Sequence, residues 1–152
     1  AGLDAVPLVD LAARLGWRVT VRDHRPAYFG KGDFRRAESC VEAPAEELEA
    51  TDLGRYTAAM VMSHHLATDR TYLRALAESA IPYVGLLGPR RRRQQLLADL
   101  GQAGERLARR LHGPAGLDVG ARGAESIALS IVAEIHAVLS GAGSPGRPLG
   151  AP

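Results

Sequence analysis

The sequence contains few cysteine, lysine and aromatic residues, and each of these shortages argues against a type of protein or binding site. Cys40 is the one cysteine in 152 residues, which excludes disulfides within the chain and any zinc or iron–sulfur site built on several cysteines. We predict that Cys40 is a small, buried apolar side chain. Lys31 is the only lysine and aromatic residues make up 5%, so the broad basic face with interleaved aromatics that binds nucleic acid is not expected.

The sequence also shows neither a long apolar run nor the residue pattern of a secretory leader. No stretch approaches the ~20 apolar residues of a membrane span, and the first residues lack the basic and then apolar pattern of a signal peptide. We therefore expect a soluble, cytoplasmic protein that binds neither membrane nor nucleic acid. The net charge of +2 is unevenly spread, because residues 38–52 carry six acidic and no basic side chains while residues 90–110 carry seven arginines.

Apolar periodicity predicts helices that alternate with strands. Helices are predicted at 3–15, 44–51, 69–79, 89–100 and 125–139, and strands at 17–23, 39–43, 58–64 and 82–87. Residues 101–123 are predicted to be mostly loop, with a short helix near Leu107. This order indicates an α/β domain with a mostly parallel sheet over residues 1–140, followed by a flexible Gly/Pro-rich tail at 141–152. Ligands of such sheets bind beyond the carboxyl ends of the strands.

The first helix has no predicted strand ahead of it, although a doubly wound sheet normally has its central strand there. A sheet without that strand keeps a gap, with unpaired backbone groups on both neighbouring strands. We therefore expect that the chain is a fragment lacking its first strand, or that another copy of the chain fills the gap.

Gly2 and Asp23 have the spacing of part of a dinucleotide-binding fingerprint. A glycine turn before a helix brings backbone N–H groups to a pyrophosphate, and an acidic residue about 20 positions later binds a ribose hydroxyl group. Asp23 lies 21 positions after Gly2 and ends a predicted strand. Pro7 stands in the region of the third glycine, so a plain strand-to-helix turn with a loop-capping Asp23 remains the alternative.

Gly88 and the four arginines after Pro89 indicate an anion site. Arginines in a first helical turn oppose the helix dipole by about 0.3–1 kcal/mol each, and a bound phosphate or carboxylate reverses that sign. We predict that Arg90 or Arg91 binds the anion, whereas Arg92 and Arg93 face solvent or a partner. A solvated basic helix face is the alternative.

His64 and Asp118 are two further candidates. His64 ends the central predicted strand, either as a ligand-binding or acid–base group or as a hydrogen-bonded structural histidine. His65 would point to the opposite face of that strand, so the two are not expected to hold one metal ion. Asp118 lies between Gly116 and Gly120 ahead of the last helix, in a structural loop or a ligand lid.

Several short motifs in a fixed order resemble the XdhC family, whose members are accessory proteins for the maturation of xanthine dehydrogenase and related molybdenum hydroxylases. The similar segments are Val21–Pro26, Met62–His64, Tyr83–Gly88 with the arginines after it, Gly116–Ala121 and Glu125–Ile135. The resemblance covers residues 1 to about 140 and implies the family's carboxyl-terminal half, a Rossmann-like three-layer domain, here without its first strand. The chain departs from the family at Ala1-Gly2, where a Gly-Ala-Gly turn is usual, and at Pro89, where serine is frequent.

The resemblance implies a chaperone without catalytic residues. It would bind molybdenum cofactor (molybdopterin), a pterin that carries a phosphate, and help to insert it into a molybdenum hydroxylase apo-enzyme such as xanthine dehydrogenase; a homodimer is compatible with that role. The expected cofactor-binding residues are Gly2, Asp23, Arg25, His64, Gly88, Arg90, Arg91 and Asp118, with no metal ligands. Two alternatives stay open: an NAD(P)-binding oxidoreductase in which His64 transfers a proton, and a fold kept only for dimerisation.

Overall fold

The structure, a computed structural model, describes residues 2–29 and 34–141 of the chain. The described strands are β1 Thr20–Asp23, β2 Ser39–Glu42, β3 Ala58–Val61, β4 Tyr83–Leu86 and β5 Leu111–His112. The described α-helices are α1 Val6–Arg14, α2 Leu66–Ala77, α3 Arg90–Leu100, α4 Gln102–Leu107 and α5 Ala124–Leu139. Most of the predicted tail, residues 142–152, lies outside the described residues.

The predicted alternation of helices and strands is confirmed, with strands that are shorter than expected. β3 ends at Val61 because the chain leaves the extended conformation soon afterwards and His64 adopts a positive φ of 60°. The predicted acidic helix is a 3-10 helix, Ala45–Ala50. β5 was not predicted, because two residues are too few to show a period.

The strands form two parallel sheets. β1 pairs with β2, with Thr20 opposite Ser39, and the second sheet has the order β3-β4-β5, with Ala58 opposite Tyr83. As the sequence predicts, no strand of the described residues lies between β1 and β3. These two strands instead line a cavity of about 830 Å³.

Helices cover both faces of the sheets and make two hydrophobic clusters. On one face α1 packs against α5, and Leu8 and Ile131 belong to their shared cluster. On the other face α2, α3 and α4 bury Leu73, Leu96 and Leu107 against β4. The molecule is therefore a three-layer α/β domain of Rossmann-like type. No helix in the described ranges is long and apolar enough to cross a membrane.

Arg110 holds the amino-terminal edge of the β3-β4-β5 sheet together. Its guanidinium group donates hydrogen bonds to the carbonyl oxygens of Leu76, Ala77 and Ile81 at 2.8–3.0 Å. The last carbonyls of a helix have no partner within the helix, so Arg110 satisfies the end of α2 and ties it to the approach to β5. Burial of Arg110 lowers the pKa of its guanidinium group.

The prediction for Cys40 is wrong, because its side chain is exposed. Side chains alternate between the two faces of a strand, and in β2 it is Ser39 and Val41 that are partly buried while Cys40 and Glu42 point outward.

Candidate functional site

The predicted site residues meet at the carboxyl edge of the sheets. Asp23 ends β1, Ser63 and His64 follow β3, and Gly88 follows β4. The helices α2, α3 and α5 begin at this edge, so their unpaired first-turn N–H groups face the same side of the molecule. The position agrees with the general rule for parallel sheets, whose ligands lie beyond the carboxyl ends of the strands.

His64 is held in an unusual backbone conformation beside the amino-terminal turn. Its φ of 60° makes it the one described non-glycine residue with a positive φ; this conformation costs an L-residue roughly 1–2 kcal/mol. The Nε2 atom of His64 lies 3.2 Å from Oδ2 of Asp4, and both side chains are more than half exposed. Asp4 belongs to the 3-10 helix Leu3–Ala5, which Gly2 precedes. Residues strained in this way cluster at functional sites.

Asp23 and Arg25 form a closed ion pair at the end of β1. Oδ1 of Asp23 accepts hydrogen bonds from the backbone N–H and from Nε of Arg25, and Oδ2 accepts one from Nη2, all at 2.9 Å. The Asp23 side chain is 4% exposed, whereas that of Arg25 is 36% exposed. The Asp23 carboxylate and the Arg25 guanidinium thus compensate each other's charge.

The turn from β4 into α3 combines an irregular glycine with exposed arginines. Gly88 has a φ of 137°, and a Cβ at this position would lie 2.9 Å from Cδ of Arg92. Arg90 and Arg91 begin α3 with exposed side chains, and the first turn has no acidic residue. Arg90 and Arg91 thus add two cations to a helix end that already carries partial positive charge.

The prediction that Arg92 faces solvent or a partner is wrong. Its Nε and Nη2 atoms donate to Oδ2 of Asp69 at 2.9 and 2.6 Å, and the hydroxyl group of Ser63 donates to Oδ1. The Asp69 side chain is 1% exposed and that of Arg92 is 21% exposed. This buried cluster joins the end of β3 to α2 and α3, and so fixes the edge on which His64 and Gly88 lie.

The prediction for Arg93 is wrong for the same reason. Arg93 turns toward α4 and β5, where Nε donates to the carbonyl oxygen of Leu111 and Nη2 to that of Ala108, both at 2.9 Å. Four consecutive arginines cover all sides of a helix, so two of them necessarily face the neighbouring elements.

The glycine-rich loop before α5 is anchored by close contacts with that helix. A Cβ on Gly116, whose φ is 108°, would lie 2.3 Å from Oγ of Ser130. The hydroxyl group of Ser130 donates to the carbonyl oxygen of Leu117 at 2.6 Å. Asp118, two residues beyond Gly116, is exposed.

Glu134 fixes the same loop from inside the molecule. Its Oε2 atom accepts hydrogen bonds from the hydroxyl group of Tyr83 at 2.6 Å and from the backbone N–H of Gly116 at 2.8 Å. The ring of His112 stacks on Tyr83 with 4.4 Å between centroids. Burial, and secondly the carboxylate of Glu134, raise the pKa of the Tyr83 hydroxyl group far above its usual value. Sequence reasoning missed this cluster, because its members lie up to 51 residues apart.

A small cavity opens between α1 and α5 at the carboxyl edge. Its volume is about 250 Å³, and apolar side chains of Leu8, Met62, Leu87 and Ile127 line it together with Asp4. Asp4 therefore touches both the cavity and His64. Asp4 was not predicted as a site residue, and its only sequence signal is its place two residues after Gly2.

Comparison with known proteins agrees with the Rossmann-like fold described above. The family described as the XdhC Rossmann domain matches residues 1–135, a range that contains all the residues of the edge named above. The chain belongs to the XdhC family. The family resemblance predicted from the motifs is thereby confirmed.

The XdhC chain is similar to curated proteins and to solved structures. It is 39% identical over 136 residues to a probable xanthine dehydrogenase subunit of Bacillus subtilis (strain 168), covering 89% of this chain and 40% of that protein. It is 32% identical to the "Uncharacterized protein YqeB" of Escherichia coli (strain K12), covering 86% of this chain and 25% of that protein. The crystal structure of a xanthine dehydrogenase from Bacillus halodurans superposes with a TM-score of 0.82 at 30% identity, covering 97% of this chain and 43% of that one. The chain thus spans less than half the length of each.

The structure brings most of the predicted site residues of this XdhC domain into small groups along one edge. Asp23 pairs with Arg25, and His64 contacts Asp4, two residues after Gly2. Gly88, Arg90 and Arg91 form the start of α3. Within residues 2–29 and 34–141, Asp118 has no hydrogen bond or ion pair that joins it to these groups. As ligand-binding residues, all eight remain predictions.

Proposed function

We propose that this XdhC domain is the ligand-binding part of an accessory protein for xanthine dehydrogenase or a related molybdenum hydroxylase. In this proposal the domain binds molybdenum cofactor at the carboxyl edge of its sheets and releases it to the apo-enzyme. The names of the relatives support an association with xanthine dehydrogenase. Molybdenum cofactor is cargo here, so the residues of the domain bind and orient it and need not change it chemically.

The observation that carries the proposal is the set of cationic and N–H groups around one edge. Arg90 and Arg91 stand exposed at the start of α3, next to the Gly88 turn. Arg25, paired with Asp23, lies at the end of β1. A phosphate group suits such donors, because charge-assisted hydrogen bonds to guanidinium and helix N–H groups are strong.

His64 and Asp4 supply the orienting part of the proposed site. The imidazole lies between the amino-terminal turn and the end of β3, beside the apolar cavity of about 250 Å³. A flat heterocycle that entered this cavity would meet apolar side chains on its faces and the polar groups of His64 and Asp4 at its rim. Release to a partner is compatible with a site this exposed.

An NADP-binding oxidoreductase is the second candidate, and the Asp23–Arg25 pair favours it. A free carboxylate at the end of this strand would bind the ribose hydroxyl of NAD, whereas an arginine there accommodates the 2′-phosphate of NADP. Asp23 is engaged by Arg25 on both oxygens, so a dinucleotide on this edge is expected to be NADP. His64 would then be the group that transfers a proton beside the nicotinamide.

The binding experiment compares four ligands on the full-length protein. Molybdenum cofactor, metal-free molybdopterin, NAD and NADP are titrated anaerobically, and their Kd values are measured by fluorescence quenching and calorimetry. We expect Arg90→Ala with Arg91→Ala to weaken molybdopterin binding about 10- to 100-fold, since each factor of ten corresponds to ~1.4 kcal/mol. Arg109→Ala is the matched control, because Arg109 is an exposed arginine next to Arg110 at the opposite edge.

His64→Asn tests the contribution of the imidazole to binding separately from that of the backbone conformation, because asparagine also tolerates a positive φ. We expect the His64→Asn protein to keep its stability and to bind molybdopterin more weakly. Binding of NADP alone would replace the proposal by the oxidoreductase. Binding of neither ligand class to the full-length protein would refute both functions.

Delivery is tested with an apo molybdenum hydroxylase. We expect the loaded full-length protein to restore hydroxylase activity faster than the same concentration of free cofactor. The arginine double variant, loaded to the same extent, tests whether Arg90 and Arg91 also affect transfer. Equal rates from the loaded protein and from free cofactor would exclude an insertion role.

A further inference from the structure

The left-handed backbone of His64 needs contacts that hold it, because a residue in a costly conformation persists only where the surrounding structure fixes it. The residues on either side of His64 supply such contacts. The backbone N–H of His65 donates a hydrogen bond to the hydroxyl oxygen of Ser63 at 3.2 Å. Serine side chains that bind the backbone two residues further on close a turn, and His64 is the central residue of this one.

Asp69 binds the residues on both sides of His64. Its Oδ1 atom accepts a hydrogen bond from the hydroxyl group of Ser63, and its backbone N–H donates to the carbonyl oxygen of His65 at 2.9 Å. The side chain of Asp69 is 1% exposed, so packing and hydrogen bonds keep this carboxylate in place. Asp69 therefore connects the turn around His64 to the buried side of α2.

The single proton of the Ser63 hydroxyl group decides how the turn is held. Two acceptors compete for it, Oδ1 of Asp69 and, at 3.1 Å, the carbonyl oxygen of His65. A hydrogen bond to an ionised acceptor is roughly twice as strong as one between neutral groups, so the proton points to Asp69. The lone pairs of the Ser63 oxygen are then left for the N–H of His65, and the hydrogen bonds run in one direction from His65 through Ser63 to Asp69.

Arg92 binds the far side of the same carboxylate. Its Nε and Nη2 atoms donate to Oδ2 of Asp69 at 2.9 and 2.6 Å, which leaves Oδ1 for the serine. Arg92 belongs to the same helical turn as Arg90 and Arg91. The chain of hydrogen bonds therefore connects the start of α3, where we propose that an anion binds, with His64.

We propose that Ser63 and Asp69 are positioning residues of the candidate site. They hold His64 in its left-handed conformation and so keep Nε2 of its imidazole 3.2 Å from Oδ2 of Asp4. Without the hydroxyl group of Ser63, the N–H of His65 loses its acceptor, and the backbone of His64 returns to a negative φ that turns the imidazole away. The effect on ligand binding rests on the proposed function, whereas the effect on the conformation of His64 does not.

Nuclear magnetic resonance of the full-length protein with isotope-labelled histidine measures the conformation of His64. A strong nuclear Overhauser effect (NOE) between the N–H and Hα hydrogens of one residue marks a positive φ, because these two hydrogens are closer there than at a negative φ. The signals of His64 are identified by their loss in His64→Asn. We expect a strong NOE in the wild-type protein and, in Ser63→Ala, a fall to the level of the other histidines of the domain, none of which has a positive φ.

Two serine variants serve as controls. Ser63→Thr keeps the hydroxyl group, so the NOE of His64 should remain strong. Ser79→Ala is the matched control, because the hydroxyl group of Ser79 donates to the carbonyl oxygen of Leu76 at 2.7 Å, at the opposite end of α2. This variant loses a hydrogen bond without touching the turn, so it should also keep the strong NOE.

Asp69→Asn tests the direction of the hydrogen bonds at nearly constant volume. Arg92 carries donors only, so we expect the amide oxygen of the variant to face Arg92 and its NH₂ group to face Ser63. The hydroxyl group of Ser63 then accepts from that NH₂ group and turns its own proton to the carbonyl oxygen of His65. The NOE of His64 should weaken in Asp69→Asn as it does in Ser63→Ala.

A binding measurement tests whether Ser63 acts on the ligand through the imidazole. Kd values for metal-free molybdopterin are compared among Ser63→Ala, His64→Asn and the double variant of the full-length protein. We expect Ser63→Ala to weaken binding at least about twofold, the lower end of the coupling between contacting residues. The double variant should bind no more weakly than His64→Asn alone, because no imidazole is left to be positioned.

Each outcome decides the proposal. An NOE of His64 that stays strong in Ser63→Ala or in Asp69→Asn would overturn it and leave the cluster a role in stability alone. Loss of the NOE in Ser79→Ala would show general loosening and would overturn it as well, as would a double variant that binds more weakly than His64→Asn, since Ser63 would then contact the ligand itself. If the full-length protein bound neither ligand class, the proposed function would fail while the NOE comparison still decided the positioning of His64. Should Ser63→Ala not fold, Asp69→Asn provides the same comparison.

Discussion

Removal of the Asp69 carboxylate should destabilise the domain more than any exposed charge does. The side chain of Asp69 is 1% exposed, and Arg92 and Ser63 together bind both of its oxygens. Loss of one partner of a buried ion pair costs ~3–5 kcal/mol, because the other charge stays uncompensated. We expect Asp69→Ala to cost about 3 kcal/mol, the lower value of this range, since the Arg92 side chain is 21% exposed and can turn toward water.

Thermal unfolding at neutral pH, followed by circular dichroism and calorimetry, measures the effect. A loss of about 3 kcal/mol lowers the Tm of a domain this size by roughly 6–12 °C. Arg106→Ala is the matched control: it breaks the Arg106–Glu78 pair, whose side chains are 49% and 65% exposed, and exposed pairs contribute about 0–1 kcal/mol.

A double variant identifies the cause of the loss. Asp69→Leu combined with Arg92→Met removes both charges and keeps apolar volume, so we expect it to be more stable than Asp69→Ala. The reasoning fails if Asp69→Ala lowers Tm no more than Arg106→Ala does. It also fails if the stability losses of Asp69→Leu alone and of Arg92→Met alone add up to the loss of the double variant, because substitutions of two residues in contact should not be additive.

Four further substitutions have defined outcomes. Gly104→Ala should lower stability by about 1–3 kcal/mol, since its Cβ would lie 2.1 Å from a backbone oxygen, whereas Gly2→Ala, with nothing within 4 Å, should leave the Tm unchanged. Folding raises the pKa of Tyr83, so the free energy of unfolding of the wild-type protein should fall as the pH rises above ~10, the pKa of tyrosine in the unfolded chain. Urea titrations from pH 9 to 11 measure this fall, which should be shallower for Tyr83→Phe. Arg110→Met should cost about 2 kcal/mol in urea unfolding, because three carbonyl oxygens lose a charged donor; a cost below ~0.5 kcal/mol would contradict that role.

The sequence predicts the layered α/β fold well because periodicity is a local signal that helices and buried strands both carry. α5 was predicted from its apolar spacing to within one residue of its start. The gap beside β1 was predicted too, since a sheet of this type needs a strand ahead of α1. β1 was predicted to start at residue 17 instead of Thr20, and β3 to end at residue 64 instead of Val61, because an apolar run does not show where the backbone enters or leaves the sheet.

The candidate site was predicted less completely, because its contacts join residues that are distant in sequence. The position of Asp23 at the end of β1 follows from local pattern, but its engagement by Arg25 depends on side-chain geometry. The inward turn of Arg92 toward Asp69 depends on where α2 packs. The contact between Asp4 and His64 requires the left-handed backbone of His64, and no residue type marks that conformation uniquely.

The packing of α1 against α5 has a consequence for biosynthesis. α1 ends at Arg14 and α5 begins at Ala124, so at 5–20 residues per second the ribosome needs roughly 5–20 s to synthesise the residues between them. During that interval the apolar face of α1 lacks its partner helix. The cluster of α2, α3 and α4 is encoded in one continuous middle stretch and can close earlier. We therefore expect nascent chains that stop short of α5 to expose α1 to chaperones and proteases, while residues 58–112 are already compact.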